Sequence, residues 1–135
     1  MGKPSILVCE DEPNLQRGIA LMLEREYDVS VANDGEDALT QFRKRTADLV
    51  LLDIKLPRLN GLDVLNALMA HATPPRVVML TAYQSVELAQ QATRAGALDY
   101  VTKPFSQDAL LKAVQRALSL PPWQRAGSKP PHAAS

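Results

Sequence analysis

The sequence has little of several residue classes, and each shortage excludes a group of proteins. Only one of its 135 residues is cysteine, and 4% are aromatic. Cys9 alone cannot form an intrachain disulfide, so a disulfide-stabilised secreted scaffold is excluded and a reducing compartment is favoured. No hydrophobic run approaches the roughly 18 residues of a membrane-spanning helix, and the first residues lack the apolar stretch of a secretory signal. We therefore expect a cytoplasmic protein that does not enter a membrane.

The sequence also lacks an excess of charge of either sign. Fifteen basic residues balance fifteen acidic ones, which gives a formal net charge of zero. Such a chain has no overall field that favours direct binding to nucleic acid or to an anionic membrane. Hydrophobic residues make up 46% of the sequence, enough for a chain of this length to bury a core without disulfides or a structural metal.

Five short hydrophobic runs predict five β-strands, and helical periodicity fills the gaps between them. The runs are Ile6–Cys9, Val29–Ala32, Leu49–Leu52, Val77–Leu80 and Leu98–Val101. The third run is apolar on both faces, as in a central strand, whereas Val29-Ser30-Val31 alternates as it would near an edge. Asp34 and Ser106 are positioned to cap the second and fifth helices. A strand followed by a helix, repeated five times, predicts an α/β fold with a parallel sheet covered on both faces.

The composition changes abruptly after Leu120. The last residues are mostly Pro, Gly, Ser, Ala and charged residues, which cannot bury much apolar surface. We expect one folded domain over residues 1–120 and a flexible Pro-rich tail or interdomain linker over residues 121–135. Trp123 is the large apolar residue of that stretch and a candidate to dock on the domain.

Polar side chains follow four of the five predicted strands. Glu10 and Asp11 follow the first, Asp53 the third, Thr81 the fourth and Lys103 the fifth. The carboxyl ends of parallel strands meet at one edge of the sheet, where open α/β proteins bind ligands. Three carboxylates brought together repel one another unless a cation neutralises them. Oxygen ligands without His or Cys suit Mg²⁺ or Mn²⁺.

Two further features indicate a phosphoryl site at this edge. Lys103 precedes Pro104, so its backbone is restricted and the bond between them is a candidate cis peptide. Asp53 ends a hydrophobic run, a costly place for an ionisable group unless its charge is used. A carboxylate, a divalent cation, an ammonium and the hydroxyl of Thr81 around one point suit a phosphoryl group.

Five segments of the sequence resemble the receiver domain of bacterial two-component response regulators. They are Ile6–Glu12, Leu51–Pro57, Asn60-Gly61, Leu80–Ala82 and Gly96–Phe105. The resemblance runs from about Ser5 to Leu118. Within the family, the segments resemble receivers of the chemotaxis and nitrogen-regulation type, and the nitrogen-regulation type most. It implies a flavodoxin-like, doubly wound sheet of five parallel strands in the order 2-1-3-4-5.

The resemblance implies the phosphoacceptor and the metal ligands. Asp53 would accept a phosphoryl group from the phosphohistidine of a histidine kinase or a phosphotransfer protein. Mg²⁺, or Mn²⁺, would bind Asp11, Asp53 and the backbone carbonyl of Lys55 directly. Glu10 stands where Asp is more usual in the family, and it would act mainly through water.

The resemblance also assigns the residues that respond to phosphorylation. Lys103 would pair with the phosphoryl oxygens, Thr81 would close on the phosphoryl group, and Tyr100 would move inward with it as the second switch residue. Lys55 and Tyr83 occupy positions that tune dephosphorylation in this family. A long cation and a bulky ring there would hinder the attacking water, so we expect a long-lived phosphoryl group.

The expected output of such a domain is a change of surface rather than turnover of a substrate. It would catalyse only its own phosphotransfer and slow autodephosphorylation, so we do not expect an enzyme in the ordinary sense. Phosphorylation would alter the face of the fourth helix, fifth strand and fifth helix, near 86–94, Tyr100 and 105–116. In many relatives that face dimerises. A downstream protein or an output domain would read it, in a single-domain regulator or in a receiver cut from a longer transcription regulator.

Three alternatives explain parts of the pattern. A haloacid-dehalogenase-type phosphatase needs a second Asp two residues after the nucleophile, where this sequence has Lys55. A flavodoxin-like cofactor binder needs a phosphate loop after the first strand, where Glu10-Asp11-Glu12 would repel the anion. A pseudo-receiver acting only as a protein-interaction module would be expected to lack Asp53 or Lys103, and both are present.

Overall fold

The computed structural model describes residues 2–82 and 86–121, with only the backbone of Val86. The elements are, in chain order, β1 (Ser5–Cys9), α1 (Pro13–Leu23), β2 (Asp28–Ala32), α2 (Gly35–Lys44), β3 (Leu49–Asp53), α3 (Gly61–Met69), β4 (Arg76–Ala82), α4 (Val86–Arg94), β5 (Asp99–Lys103) and α5 (Gln107–Ser119). Tyr83, Trp123 and residues 122–135 lie outside the described residues, so what the sequence predicts for them stays a prediction.

The five strands form one parallel sheet in the order β2-β1-β3-β4-β5. This confirms the predicted α/β, flavodoxin-like fold. All five residues of β3 are buried, as expected of a central strand. β2 lies at an edge and is buried only at Ala32, in keeping with the alternation of its sequence.

A separate hydrophobic core fills each face of the sheet. On one face β-strand side chains pack against α2, α3 and α4, with the fully buried Phe42 and Leu65 among them. On the other face they pack against α1 and α5, with the fully buried Ile19 and Leu110 among them. The helical stripes predicted from the sequence therefore face the sheet, and the two cores hold the carboxyl edge of β1, β3, β4 and β5 in place.

Side-chain caps begin the helices where the sequence predicts them. The Asp34 carboxylate accepts a hydrogen bond from the Asp37 amide and begins α2, and the Ser106 hydroxyl accepts one from Ala109 and begins α5. Pro13 occupies the first turn of α1, where its missing N–H costs nothing. Gly96 follows α4 with a φ of 125°, a conformation that favours glycine at a helix end.

The strands extend further than the hydrophobic runs. β4 continues through Ala82, so Thr81 lies inside the strand, and β5 runs from Asp99 to Lys103 rather than from Leu98 to Val101. Ala82 pairs with Lys103 at the end of this ladder. Backbone pairing with β4 holds these polar residues in the strand, and hydrophobicity does not report backbone hydrogen bonds. Lys103 is thus the last residue of β5, not a residue beyond it.

The end of α5 is fixed at the opposite, amino edge of the sheet. Arg76 at the start of β4 donates from Nε to the carbonyl oxygen of Leu120 at 2.7 Å. Across residues 2–82 and 86–121, no helix has the length and hydrophobicity needed to cross a bilayer.

Candidate functional site

Three carboxylates meet at the carboxyl edge of the sheet. Cys9 at the end of β1 pairs with Leu52 in the neighbouring β3. Glu10 and Asp53 are the residues that follow this pair, so they lie side by side. One carboxylate oxygen from each of Glu10, Asp11 and Asp53 lies within 4.8 Å of the other two. Glu10 and Asp53 are buried, with 1% and 6% of their surface exposed, whereas Asp11 is exposed. The sequence-predicted acidic cluster is therefore assembled.

Lys103 bridges the two buried carboxylates. Its ammonium lies 2.7 Å from Oε1 of Glu10 and 2.9 Å from Oδ2 of Asp53. The side chain is 23% exposed, so the ammonium closes the site while still reaching solvent. The Lys103–Pro104 peptide is cis, which confirms the prediction. The polar groups of three strands are thus in direct contact.

The pKa values of Glu10 and Lys103 are both shifted, by burial and by the charges around them. Burial raises the pKa of Glu10, and repulsion from Asp53 adds to it, against the lowering effect of the hydrogen bond from Lys103. Burial lowers the pKa of Lys103, but its hydrogen bonds to Asp53 and Glu10 outweigh that and raise the pKa overall. Lys103 therefore carries its positive charge across the physiological pH range, whereas burial makes Glu10 harder to ionise than an ordinary glutamate.

Both buried carboxylates also accept a hydrogen bond from a backbone amide. Oε2 of Glu10 accepts a hydrogen bond from the Glu12 amide at 3.1 Å, and Oδ1 of Asp53 accepts one from the Lys55 amide at 3.0 Å. Each buried carboxylate therefore receives one backbone N–H and one contact from Lys103. These bonds orient the oxygens of both carboxylates.

The loop between β3 and α3 is held close to Asp53. A Cβ added at Gly61 would lie 2.3 Å from the Asp53 carbonyl oxygen, so the first residue of α3 has to be glycine for this approach. Arg58 has a φ of 70°, and its guanidinium lies 3.7 Å from Asp34 and 3.4 Å from Glu36. The loop that carries Lys55 is thereby fixed against the start of α2.

Thr81 and Tyr100 lie on the same side of the sheet. Tyr100 pairs with Met79 in the β4–β5 register, and Thr81 is two residues further along β4, so its side chain projects from the same face as Met79. Thr81 is fully buried and its hydroxyl donates to the Ala82 carbonyl oxygen at 3.1 Å. Tyr100 is half-buried. The two predicted switch residues therefore lie on the same face of adjacent strands, offset by two positions in the register.

The cluster fits a hard divalent cation. Its side chains offer carboxylate oxygens only, and the exposed Asp11 leaves one side of the site open to water. Mg²⁺ prefers oxygen ligands and keeps several of its waters. Glu10, Asp11 and Asp53 are thus the side chains that would hold such an ion, with the Lys55 carbonyl as a further candidate ligand.

A partly apolar groove opens beside the site. It has a volume of about 410 Å³ and lies between α1 and the loop after β5, lined by Glu12, Leu15, Met22, Lys103, Pro104 and Phe105. Lys103 belongs to both the groove and the acidic site. A partner that inserts an apolar side chain here would therefore reach the site from the α1 side.

Sequence reasoning missed two residues that organise the site. Gly61 appears in a recognised segment, but its close approach to Asp53 depends on the packing of a loop. Gln16 on α1 donates to the Glu10 carbonyl oxygen at 2.9 Å, six residues back along the chain. Nothing in the local pattern distinguishes Gln16 from a solvated helix residue, because the contact is set by the turn between β1 and α1.

Comparisons with known proteins agree with this fold. A family model described as "Response regulator receiver domain" matches residues 6–115. The chain is 40% identical over 116 residues to the regulatory protein AtoC of Escherichia coli (strain K12), covering 85% of this chain and 25% of AtoC. It is 41% identical over 114 residues to the DNA-binding response regulator MtrA of Mycolicibacterium smegmatis, covering 84% and 50%.

Solved structures give the same result. The receiver domain of NtrX from Brucella abortus superimposes with a TM-score of 0.81 at 36% identity, covering 84% of this chain and 98% of that domain. The chain spans a quarter to a half of the length of the curated relatives AtoC and MtrA.

Proposed function

Because the chain belongs to the family of response regulator receiver domains, we propose that Asp53 accepts a phosphoryl group in a Mg²⁺-dependent reaction. The donor is the phosphohistidine of a histidine kinase or a phosphotransfer protein. The observation that carries the proposal is the contact of Lys103 with both buried carboxylates, Glu10 and Asp53, with Asp11 beside them. Such a site holds a nucleophilic carboxylate, a cation site and an ammonium at one point.

The transfer needs no oxidant and no further co-reactant. A carboxylate oxygen of Asp53 forms a bond to phosphorus as the phosphorus–nitrogen bond of the phosphohistidine breaks, and the electron pair returns to the imidazole. A bound Mg²⁺ would neutralise the carboxylates and the phosphoryl oxygens as charge builds up. Lys103 already lies 2.9 Å from Asp53, so its ammonium can turn from that carboxylate to a phosphoryl oxygen.

Thr81 and Tyr100 are proposed to convert the new charge into a change of surface. The Thr81 hydroxyl now donates to a backbone carbonyl, and a phosphoryl oxygen would offer a stronger, charged acceptor. Movement of Thr81 would open space for the half-buried Tyr100 on the same face. The surface of α4, β5 and α5 would then change, and it is the proposed site of a phosphorylation-dependent homodimer or of contact with a downstream protein.

The groove beside Lys103 supports a kinase as the partner. Its apolar lining includes Leu15 and Phe105, so a helix of the donor protein can bury a side chain there while presenting its histidine to Asp53. We propose a cytoplasmic exchange, in a compartment where the free thiol of Cys9 is stable. The domain would catalyse only this transfer and its own dephosphorylation.

We propose two alternative outputs. MtrA is described as a DNA-binding response regulator, which favours an output domain joined to the receiver in a longer transcription regulator. A single-domain regulator that acts through another protein is the alternative, and the tail or linker over 121–135 is compatible with both.

The decisive experiment is intact-protein mass spectrometry after incubation with acetyl phosphate and Mg²⁺. We expect one phosphoryl adduct on the wild type, none on Asp53→Ala, and none in the presence of EDTA. Asp63→Ala is the matched control, because Asp63 is an exposed carboxylate on α3 and should leave the adduct in place. No adduct on the wild type, together with no binding of beryllofluoride, would make the chain a pseudo-receiver.

A further inference from the structure

The backbone of Glu10 is fixed by hydrogen bonds on both sides. Its amide donates to the Ala32 carbonyl oxygen at 3.1 Å, and its carbonyl oxygen accepts from the Gln16 amide nitrogen Nε2 at 2.9 Å. The first bond continues the pairing of β1 with β2. The second comes from a side chain on α1 and fixes the peptide that joins Glu10 to Asp11.

Asp11 depends on that peptide for its orientation. Among residues 2–82 and 86–121, no hydrogen bond or ion pair to the exposed Asp11 carboxylate is found, so no other side chain in these ranges orients it. The peptide group is planar, so an anchored Glu10 carbonyl oxygen sets the plane from which Asp11 projects. The backbone position from which Asp11 reaches toward Asp53 is therefore set by this peptide.

Gln16 is itself held in place from a third segment. The same Nε2 donates to the Asn33 side-chain oxygen at 2.9 Å and lies 3.4 Å from the Ala32 carbonyl oxygen. Gln16 is half-buried. One amide group thus joins the loop after β1 to the loop after β2, and the position of the acidic pair becomes part of the packing of α1 on the sheet.

We propose that Gln16 is a positioning residue for the metal ion of this site. It does not touch the ion; it fixes the Glu10–Asp11 peptide so that both carboxylates face Asp53. The inference rests on the proposed function, because it requires that the cluster binds a divalent cation. Residues that orient metal ligands typically change metal affinity about 10- to 100-fold when they are replaced, and the lower end is expected for a contact made through the backbone.

The test is direct measurement of Mn²⁺ binding, from the electron paramagnetic resonance signal of the free ion. Gln16→Met keeps the length and helix propensity of the side chain and removes the donor, and it should weaken Mn²⁺ binding about 10-fold. Gln16→Asn keeps the amide but shortens its reach, and it should weaken binding in the same direction. Thermal unfolding of the wild type and of both variants shows whether each protein is folded.

Gln41→Met is the matched control. Gln41 on α2 also donates to a backbone carbonyl of β2, that of Val31 at 2.7 Å, and to Asp37 at 3.2 Å. Gln41→Met should lower the free energy of unfolding about as much as Gln16→Met does, but it should leave the dissociation constant of Mn²⁺ unchanged. Equal weakening of Mn²⁺ binding by Gln16→Met and Gln41→Met would mean a general loss of order and would overturn the proposal.

Acetyl phosphate labelling gives a second, independent measure. In Gln16→Met the Mg²⁺ concentration that half-saturates the labelling rate should rise about 10-fold, while the rate at saturating Mg²⁺ stays close to that of the wild type. Unchanged Mn²⁺ affinity in this variant, with normal binding by the wild type, overturns the inference alone. A wild type that binds no Mn²⁺ overturns the inference together with the metal site of the proposed function.

Discussion

At the scale of the residue, the site buries charged side chains, which is unfavourable unless their charges are neutralised. Glu10 and Asp53 are carboxylates enclosed at the ends of two hydrophobic strands, and Lys103 neutralises only part of their combined charge. The raised pKa of Glu10 shows that burial and repulsion outweigh the contact with Lys103. Ionised Glu10 therefore costs the folded protein stability.

Glu10→Gln should raise the free energy of unfolding at neutral pH in the absence of Mg²⁺. Because the folded-state pKa of Glu10 lies above its ordinary value, the folded protein binds this proton more tightly than the unfolded chain does. The gain from the substitution should therefore be absent below the ordinary pKa of Glu. It should appear as the pH rises and be complete above the raised pKa.

Urea unfolding of the wild type and Glu10→Gln across that range of pH measures the difference. Glu24→Gln is the control, because Glu24 is exposed and follows the C-terminal end of α1. A gap between wild type and Glu10→Gln that does not change with pH would contradict the prediction.

Lys55→Asn should shorten the lifetime of the phosphoryl group severalfold. Lys55 is exposed, and its amide binds Asp53, so its side chain can cover the approach of water to a phosphorylated Asp53. Asn is smaller and uncharged. The decay of the labelled protein after removal of acetyl phosphate, followed by intact mass, measures the lifetime. An unchanged decay would show that Lys55 does not shield the phosphoryl group.

At the scale of the element, hydrophobic periodicity predicts all five strands and all five helices in the right order, and the caps at Asp34 and Ser106 are in place. The ends of the strands are less accurate. β5 extends over Thr102 and Lys103 through backbone pairing with β4, which side-chain polarity does not reveal. The acidic cluster was predictable because parallel strands bring their carboxyl ends together.

Contacts between distant segments were not predictable in the same way. The Lys103–Glu10 contact joins residues 93 positions apart, and its partners are chosen by strand order and side-chain length together. The hydrogen bond from Gln16 to Glu10 depends on the shape of one turn. Both contacts follow from the tertiary arrangement rather than from a local pattern.

Gly61→Ala should destabilise the fold by about 1–3 kcal/mol, as overpacking in a well-packed region does. The added methyl group would press on the Asp53 carbonyl and the Ile54 backbone, so phosphorylation should slow as well. Gly18→Ala in α1 is the matched control. Nothing lies within 4 Å of its Cβ, and replacing glycine in a helix should stabilise by about 1 kcal/mol. Thermal unfolding of both variants distinguishes crowding from backbone entropy, and equal effects would contradict this reading of Gly61.

At the scale of the whole molecule, cation binding and folding are linked. The three carboxylates come together only in the folded sheet, so Mg²⁺ should bind the native state and raise its unfolding temperature. A ligand at 100 times its dissociation constant adds about 2.7 kcal/mol. Asp11→Asn should remove most of this increase, and Asp63→Asn should not. An unfolding temperature that does not respond to Mg²⁺ would argue against the metal site.

The thiol of Cys9 lies at the end of β1, directly before Glu10, and it is fully buried. Burial also raises its pKa far above the usual range, so neither access nor ionisation allows it to react in the native state. Labelling by a thiol reagent must then wait for β1 to leave the sheet. The rate at which Cys9 is labelled therefore measures how often the central sheet opens. If a cation or a phosphoryl group binds at the adjacent acidic site, that rate should fall.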